Sequence, residues 1–544
     1  MLPSSPQQRT RLNALLRFAS IFVITSIVVA SVASAAPAAK PNVVVILADD
    51  LGYGDVHCYN PDRGKIPTPN IDRAAADGMR FTDGHCSSGC CSPSRYTLLT
   101  GRYHWRSRLQ SGIVGVWEKP LIAADRLTIG HLAQQQGYRT ACIGKWHLGW
   151  DWPISAEQME HFRGLGGQSG GGGKVLTEVT AAHRRAWADV FAQPIAGGPT
   201  TRGFDEYFGT DVPNWPPYCF IQNDRTLGIP SELLPAGLLV KNQASLQGPA
   251  LKDWKLEAIL PALGERAVDF ISRQAKDDRP FLLYMPLTAP HTPIAPAPEW
   301  RGKSGIGDYG DFVMQTDAAI GKVLEALDKN GLADSTLVFI TSDNGCASYI
   351  GVPAIEAQGH FPSGPLRDYK ASVYEGGHRE PFIVRWPGVV KRGSVSGQYV
   401  HQADLLATLA EVWGVKLPDN AGEDSFSLLP LLKGEDQPIR EHGVNTACNG
   451  LPSIRRGPWK LILQRDEQTD TEVQLYKLET DLGEKKNVAA ENAAIVSELR
   501  TLLEKVIVQG RSTPGPAQKN DVRVRRYPLA DGPPAKPAKT KKAK

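Results

Sequence analysis

Several apolar runs in the chain end on residues that can hold an ion. PNVVVILADD (41–50) ends on Asp49 and Asp50, TLVFITS (336–342) runs into Asp343 and Asn344, and PFLLYMPL (280–287) leads to His291. Three carboxylates and an amide carbonyl make a hard, all-oxygen donor set, suited to Ca2+ or Mg2+ rather than Zn2+. The wider and more flexible geometry favours calcium over magnesium. Gly52 and Gly54 would let the backbone curl away after the acids. A second group lies in CCSPSRYTLLTGR (90–102). Pro93 fits a first helical turn and Leu98-Leu99 its buried face, so Cys91 would start a helix where unpaired N–H groups favour an anion. Arg95, one turn on, can reach the same anion with a planar fork. In GKWHLG (144–149), Lys145 and His147 are two apart. An extended segment would point both to one side and Trp146 to the other, a clamp for developing negative charge. Lys370, an isolated cation, precedes YEGGHREPFIVRWPG (374–388).

A lone histidine or lysine is ordinarily a core or surface residue; the recurrence at strand ends raises these above that reading, because open α/β sheets act from the loops beyond their carboxyl ends. Further runs at RTACIG (139–144) and PFIVRWP (381–387) read as buried strands, and helical patterns fall at 68–78, 127–136, 259–274 and 312–329. The expected fold is α/β: a large mixed sheet sandwiched by helices, with long insertions at 150–255 and 344–380. GLGGQSGGGG (164–173) has neither the lysine nor the preceding strand of a phosphate loop and is read as a flexible excursion. After residue 435 short strands at 443–448, 453–457, 459–464 and 473–478 precede a helix at 490–508, a smaller α+β domain with an antiparallel sheet. The expected boundaries are 1–35, 36–434, 435–509 and 510–544.

The ends carry the chain's excess charge. Residues 1–35 hold three arginines and no acid, an apolar run from Phe18 to Ala33, and Ala33-Ser34-Ala35. That is the pattern of a cleaved secretory signal peptide, with no stable membrane insertion afterwards and an exported product, periplasmic or extracellular. Residues 511–544 hold ten bases and two acids, and a Pro/Lys/Ala-rich tail from Gly510 is expected to be disordered. The body between, 36–510, has 48 bases against 55 acids. An acidic body argues against a nucleic-acid partner. Eight cysteines in 544 residues allow a few bridges without forming a framework.

The stretch Cys91-Ser92-Pro93-Ser94-Arg95 with Thr100-Gly101-Arg102 resembles the C-x-P-S-R…T-G-R signature of the type I, formylglycine-dependent sulfatases of the alkaline phosphatase superfamily. NVVVILADDLGYGD (42–55), TPNIDRAAADGMRFT (68–82), GKWHLG, TSDNG (341–345) and YEGG (374–377) are similar to the same family in the same order, and LYKLETDLGEKKNVA (475–489) to its C-terminal region. The resemblance implies that a maturation enzyme oxidises Cys91 to Cα-formylglycine, whose hydrate is the nucleophile. It implies calcium on Asp49, Asp50, Asp343, Asn344 and the modified Cys91, and sulfate handling by Arg95, Lys145, His147, His291 and Lys370. Asp343 would help deprotonate the attacking hydroxyl, His291 would be the general acid, and His147 would deprotonate the second hydroxyl as sulfate leaves. One further family position is represented by His183 or the segment 210–215. The implied substrate is a sulfated saccharide, a galactose or N-acetylhexosamine sulfate, with Trp105, Trp146, Trp150, Trp152 and Trp215 as candidate sugar platforms. The rival activity is that of a phosphodiester or phosphonate monoester hydrolase; a glycan-binding protein without catalysis would not need the full residue set.

Overall fold

The structure, a computed structural model, describes residues 40–162, 178–239 and 245–527. The expected leader and the glycine-rich excursion lie outside the described residues. Asn42–Asp49 (β1) is buried along its whole length. A strand whose side chains are apolar on both faces must lie inside a sheet covered on both sides, and β1 lies in the middle of a ten-stranded one. The others are Met79–Phe81 (β2), Arg139–Ile143 (β3), Glu206–Gly209 (β4), Ile221–Gln222 (β5), Arg225–Thr226 (β6), Phe281–Pro290 (β7), Thr336–Ser342 (β8), Phe382–Arg385 (β9) and Ser394–Ser396 (β10). Their order is β10-β2-β9-β8-β1-β7-β3-β4-β5-β6. The five central strands, β8 to β4, are mutually parallel, and the antiparallel pairs lie towards the edges.

Alternate residues of β1 feed two separate cores. Val43, Val45 and Leu47 pack with Cys91–Thr100 (α2), Ile129–Gln135 (α3) and Asp404–Val412 (α6), through Leu98, Leu99, Ile129, Leu132, Leu406 and Leu409. Val44, Ile46 and Ala48 pack with Pro69–Asp77 (α1), Ile259–Gln274 (α4) and Asp308–Lys329 (α5), through Ile71, Leu263, Phe270, Ile320 and Val323. This is the mixed α/β sandwich expected. The last of these helices starts four residues earlier than its apolar pattern, with Asp308 and Asp311 in its first turn, where acids complement the helix dipole.

The C-terminal region is an antiparallel meander of His442–Thr446 (β11), Pro452–Arg456 (β12), Trp459–Ile462 (β13) and Gln474–Lys477 (β14), covered by Ala493–Gln509 (α7). Leu499, Leu503, Val506 and Ile507 of α7 share a core with Val444, Ile454, Leu461 and Leu475, and with Tyr103 and Trp105 from the larger sandwich.

One expectation fails here. The tail is not free from Gly510: through Tyr527 it runs over the folded body. Asp521 accepts from Arg102 Nη2 (3.0 Å), Asn520 Oδ1 from Arg106 Nη1 (3.0 Å), and Ser512 donates to Asp424 (2.7 Å). Arg102 and Arg106 have fully buried side chains, and buried guanidinium groups demand partners. The remaining 528–544 lie outside the described residues. In this structure the eight cysteines stand as free thiols.

Candidate active site at the carboxyl end of the sheet

Four parallel strands deliver their last residues to one place. Asp49 and Asp50 close β1, Asp343 and Asn344 follow β8, Lys145 and His147 follow β3, and His291 follows β7. Parallel register makes this unavoidable, since strands paired side by side end at the same edge. The start of α2 faces them from beneath, and the 346–373 loop brings in Lys370.

Cys91 is the first residue of α2, with Cys90 as its N-cap. Its Sγ lies 3.7 Å from Asp49 Oδ1 and 3.6 Å from Lys370 Nζ. Burial pushes its thiol up to about 12 despite Lys145 and Lys370, so an unmodified cysteine here is a poor nucleophile at neutral pH. Lys145 Nζ donates to Asp49 Oδ2 (2.6 Å) and Lys370 Nζ to Asp50 Oδ1 (2.5 Å). Burial alone would raise the Asp49 carboxyl, but Lys145, His291, Arg95 and Lys370 together hold it well below the usual range. Arg95 is fully buried. Its Nε and Nη2 donate to Asp343 Oδ2 (3.0 and 2.7 Å) and its Nη1 to the Lys145 carbonyl (2.9 Å). The fork expected to grip a substrate anion instead fixes Asp343 and the Lys145 backbone.

The extended geometry expected for Lys145 and His147 is not found. Gly144 has φ +145°, and a Cβ there would meet the Pro286 carbonyl at 1.7 Å. The chain crosses β7 at this point, Lys145 N–H donating to Pro286, and turns through His147, itself left-handed at φ 52°. Such strain in a non-glycine residue is tolerated where surrounding contacts enforce it. Here Asp211 Oδ1 accepts from the His147 N–H and from Trp150 Nε1, both at 3.1 Å. His147 Nε2 sits 3.1 Å from the Val114 carbonyl, which can only accept. That fixes the proton on Nε2 and leaves Nδ1, buried and unpartnered, as a lone pair. Burial, with Lys145 and Arg95 nearby, keeps this ring neutral. His291 Nδ1 likewise faces an acceptor, Thr292 O (2.5 Å), which turns Nε2 towards Asp50 (3.7 Å).

The donor set fits a metal ion. Asp49, Asp50, Cys91 and His291 offer ligand atoms all within 4.8 Å of one another. Asp50 Oδ2 and Asn344 Oδ1 are buried without a hydrogen-bond partner. An unpaired buried carboxylate oxygen is costly, and two orphaned oxygens beside further carboxylates are what a hard cation would satisfy. Asn344 Nδ2 donates to Asp50 Oδ1 (2.7 Å), which turns its carbonyl oxygen away from that carboxylate.

Gly52 and Gly54 serve close approach rather than curling: a Cβ on either would meet a carbonyl of Pro362 or Phe361 at 2.4 and 2.1 Å. His183 is not brought to the site; it accepts from Thr180 at a helix start and packs on His161 and Trp187. The 210–215 segment is brought there, through Asp211 and through Trp215, whose ring meets His147 edge-on at 5.3 Å. Trp105, Trp146, Trp150 and Trp152 are buried core residues and offer no sugar platform. Sequence reasoning missed the Val114 carbonyl and the individual role of Asp211. No local pattern marks either, because their partners lie 33 and 64 residues away.

Comparison with known proteins agrees with this geometry. The model of the Sulfatase family matches residues 41–415, and that of the N-sulphoglucosamine sulphohydrolase C-terminal region matches 368–509. The chain is 33% identical to an N-acetylgalactosamine-6-O-sulfatase of Bacteroides thetaiotaomicron, over 86% of this chain and 93% of that protein. It is 31% identical to human arylsulfatase A, over 91% and 93%. A structure described for the metabolism of multiple glycosaminoglycans by Bacteroides thetaiotaomicron superposes with TM-score 0.71 at 30% identity, covering 86% of this chain and 99% of that one.

Proposed function

The chain belongs to the sulfatase family, and from that premise we propose that it is an exported hydrolase of sulfated saccharides, acting at a formylglycine made from Cys91 beside a calcium ion. The observation that carries this reading is the cluster of Asp49, Asp50, Cys91 and His291, with Asp343 and Asn344 bonded to Asp50 and two oxygens left unpaired. As a sulfatase the enzyme releases sulfate from an ester. The saccharide is supported by relatives named for N-acetylgalactosamine 6-sulfate. We read the substrate as a galactose or N-acetylhexosamine sulfate, with Trp215 at the entrance. Export is supported by the leader-like first 35 residues; among the described residues no helix is long and apolar enough to cross a membrane.

The residues divide the work by position. Asp49, Asp50, Asp343 and Asn344 would hold the cation, which when bound supplies Lewis-acid charge for the ester oxygens. A hydrated aldehyde at position 91 supplies an oxygen nucleophile and a second hydroxyl, which a thiol lacks. Arg95 orients Asp343, whose carboxylate accepts the proton of the attacking hydroxyl. Lys145 and Lys370 flank position 91 and hold the sulfate in line, a positioning contribution. Burial, with Lys370 and Lys145 nearby, keeps His291 neutral; the incoming anion offsets the two lysines, so its Nε2 takes a proton from water and passes it to the leaving oxygen. His147 Nδ1, the unpartnered lone pair, takes the proton of the second hydroxyl when sulfate departs.

The test is a panel of defined sulfated saccharides, with phosphate mono- and diesters in parallel, read as inorganic sulfate or phosphate released. Mass spectrometry of the Cys91 peptide establishes that the sample carries the aldehyde. Sulfate release from a galactose or hexosamine sulfate is expected. A modified sample that hydrolyses phosphate diesters and spares every sulfated sugar would overturn the reading.

A further inference from the structure

Cys90, the residue before the catalytic position, has a cross-chain counterpart that the sulfatase chemistry does not use. Ser88 and Thr446 form a parallel bridge, with the Thr446 N–H donating to Ser87 O and the Gly89 N–H to Thr446 O, both at 3.0 Å. Two residues further along each segment stand Cys90 and Cys448. The bridge brings the two cysteine-bearing segments side by side two residues before each thiol. Past the bridge the direct pairing ends, and Ala371 and Gly112 link the two segments. The Gly112 N–H donates to the Cys448 carbonyl (2.6 Å), the Cys448 N–H to Ala371 O (3.0 Å), and the Ala371 N–H to Gly89 O (2.6 Å). Cys90 Sγ lies 3.7 Å from the Gly112 carbonyl; burial and the neighbouring Cys448 push the Cys90 thiol up, while Cys90 lowers that of Cys448.

We propose that in the mature protein Cys90 and Cys448 are joined by a disulfide, which ties the N-cap of the helix carrying position 91 to the loop after β11. The two thiols lose two protons and two electrons as the sulfur–sulfur bond forms. The electrons reduce a donor disulfide of an oxidising compartment, a disulfide-carrying oxidoreductase or oxidised glutathione, to two thiols.

The full-length protein, prepared through an export route, can be denatured in acid with free thiols alkylated and then digested with trypsin without reduction. Cys448 is the single cysteine of Glu441–Arg455, and Cys90 shares Phe81–Arg95 with Cys86 and Cys91. The two peptides are expected to be linked, two hydrogens lighter than their sum, with fragmentation placing the bond at Cys90 and Cys86 alkylated. A sample reduced and then exposed to oxidised glutathione should regain the same link. Alkylated Cys90 and Cys448 in both samples, or a link from Cys86 or Cys91, would overturn the proposal. As a second readout, dithiothreitol should lower the Tm of the wild type by several degrees and leave that of Cys448→Ser unchanged. An equal response of the two proteins counts against the bond, and if Cys448→Ser does not fold the wild-type peptide map decides.

Discussion

At position 91 the buried environment works against a thiolate and in favour of a modified side chain. Cys91→Ala removes the thiol through which Cβ is oxidised to the aldehyde and leaves a small side chain at the first residue of α2. Turnover of a sulfate ester should fall by about four orders of magnitude or more, with far-UV circular dichroism and Tm near wild type. Measurable turnover by the purified variant would sink the nucleophile assignment. The metal reading has its own test. Chelation should abolish turnover and calcium restore it, and calcium should raise the Tm, since a ligand bound only by the folded state stabilises it. In Asn344→Ala the calcium-dependent rise should shrink, because the orphaned Oδ1 is gone. Differential scanning fluorimetry across a calcium titration reads this independently of activity.

The elements that carry these residues were largely legible, and the reason is physical. A strand buried on both faces has to be apolar throughout, so its first polar residues mark where it leaves the sheet; Asp49, Asp343 and His291 announce themselves that way. His147 did not, because its conformation is set by Gly144 passing under the Pro286 carbonyl, a contact between strands 142 residues apart. The path of 511–527 was equally hidden: its polar groups answer buried Arg102 and Arg106, and no periodicity records that. Nor does sequence show what YEGG is for. Glu375, from that motif, accepts from Lys460 Nζ of β13 (2.9 Å), and the same ammonium pairs with Glu484 (2.8 Å) and contacts His378 (3.2 Å). Lys460 is 1% exposed, so it holds two buried carboxylates from the sandwich and the C-terminal region together. Lys460→Met keeps the stem and deletes the charge. It should cost about 3 kcal/mol or more of stability in urea unfolding, since breaking one partner leaves buried charge uncompensated. A loss under about 1 kcal/mol would show that the network is dispensable.

Across the whole molecule, the acidic body and the basic tail are not independent pieces. Asp521 and Asn520 are bonded to arginines of the sandwich. Truncation after Gly510 should therefore lower the Tm by several degrees relative to truncation after Tyr527; equal Tm values for both forms would mean that the 511–527 contacts contribute nothing. A second whole-molecule property is acid sensitivity. His104 lies between the two regions, its ring nitrogens 3.2 Å from Ser87 Oγ and 3.3 Å from Thr446 Oγ1. Burial pushes its pKa down from 6.5 to about 3. The unfolded chain thus binds a proton below pH 6.5 that the folded chain refuses until about pH 3, so stability is lost as pH falls through that window. A neutral side chain of similar reach removes the proton from both states. The stability of His104→Gln relative to wild type should rise steadily from pH 6.5 to pH 4, by a few kcal/mol in total. Urea unfolding of both proteins at matched pH measures the difference directly, free of the other titrating groups they share. A difference that stays constant with pH would place the acid sensitivity elsewhere in the fold.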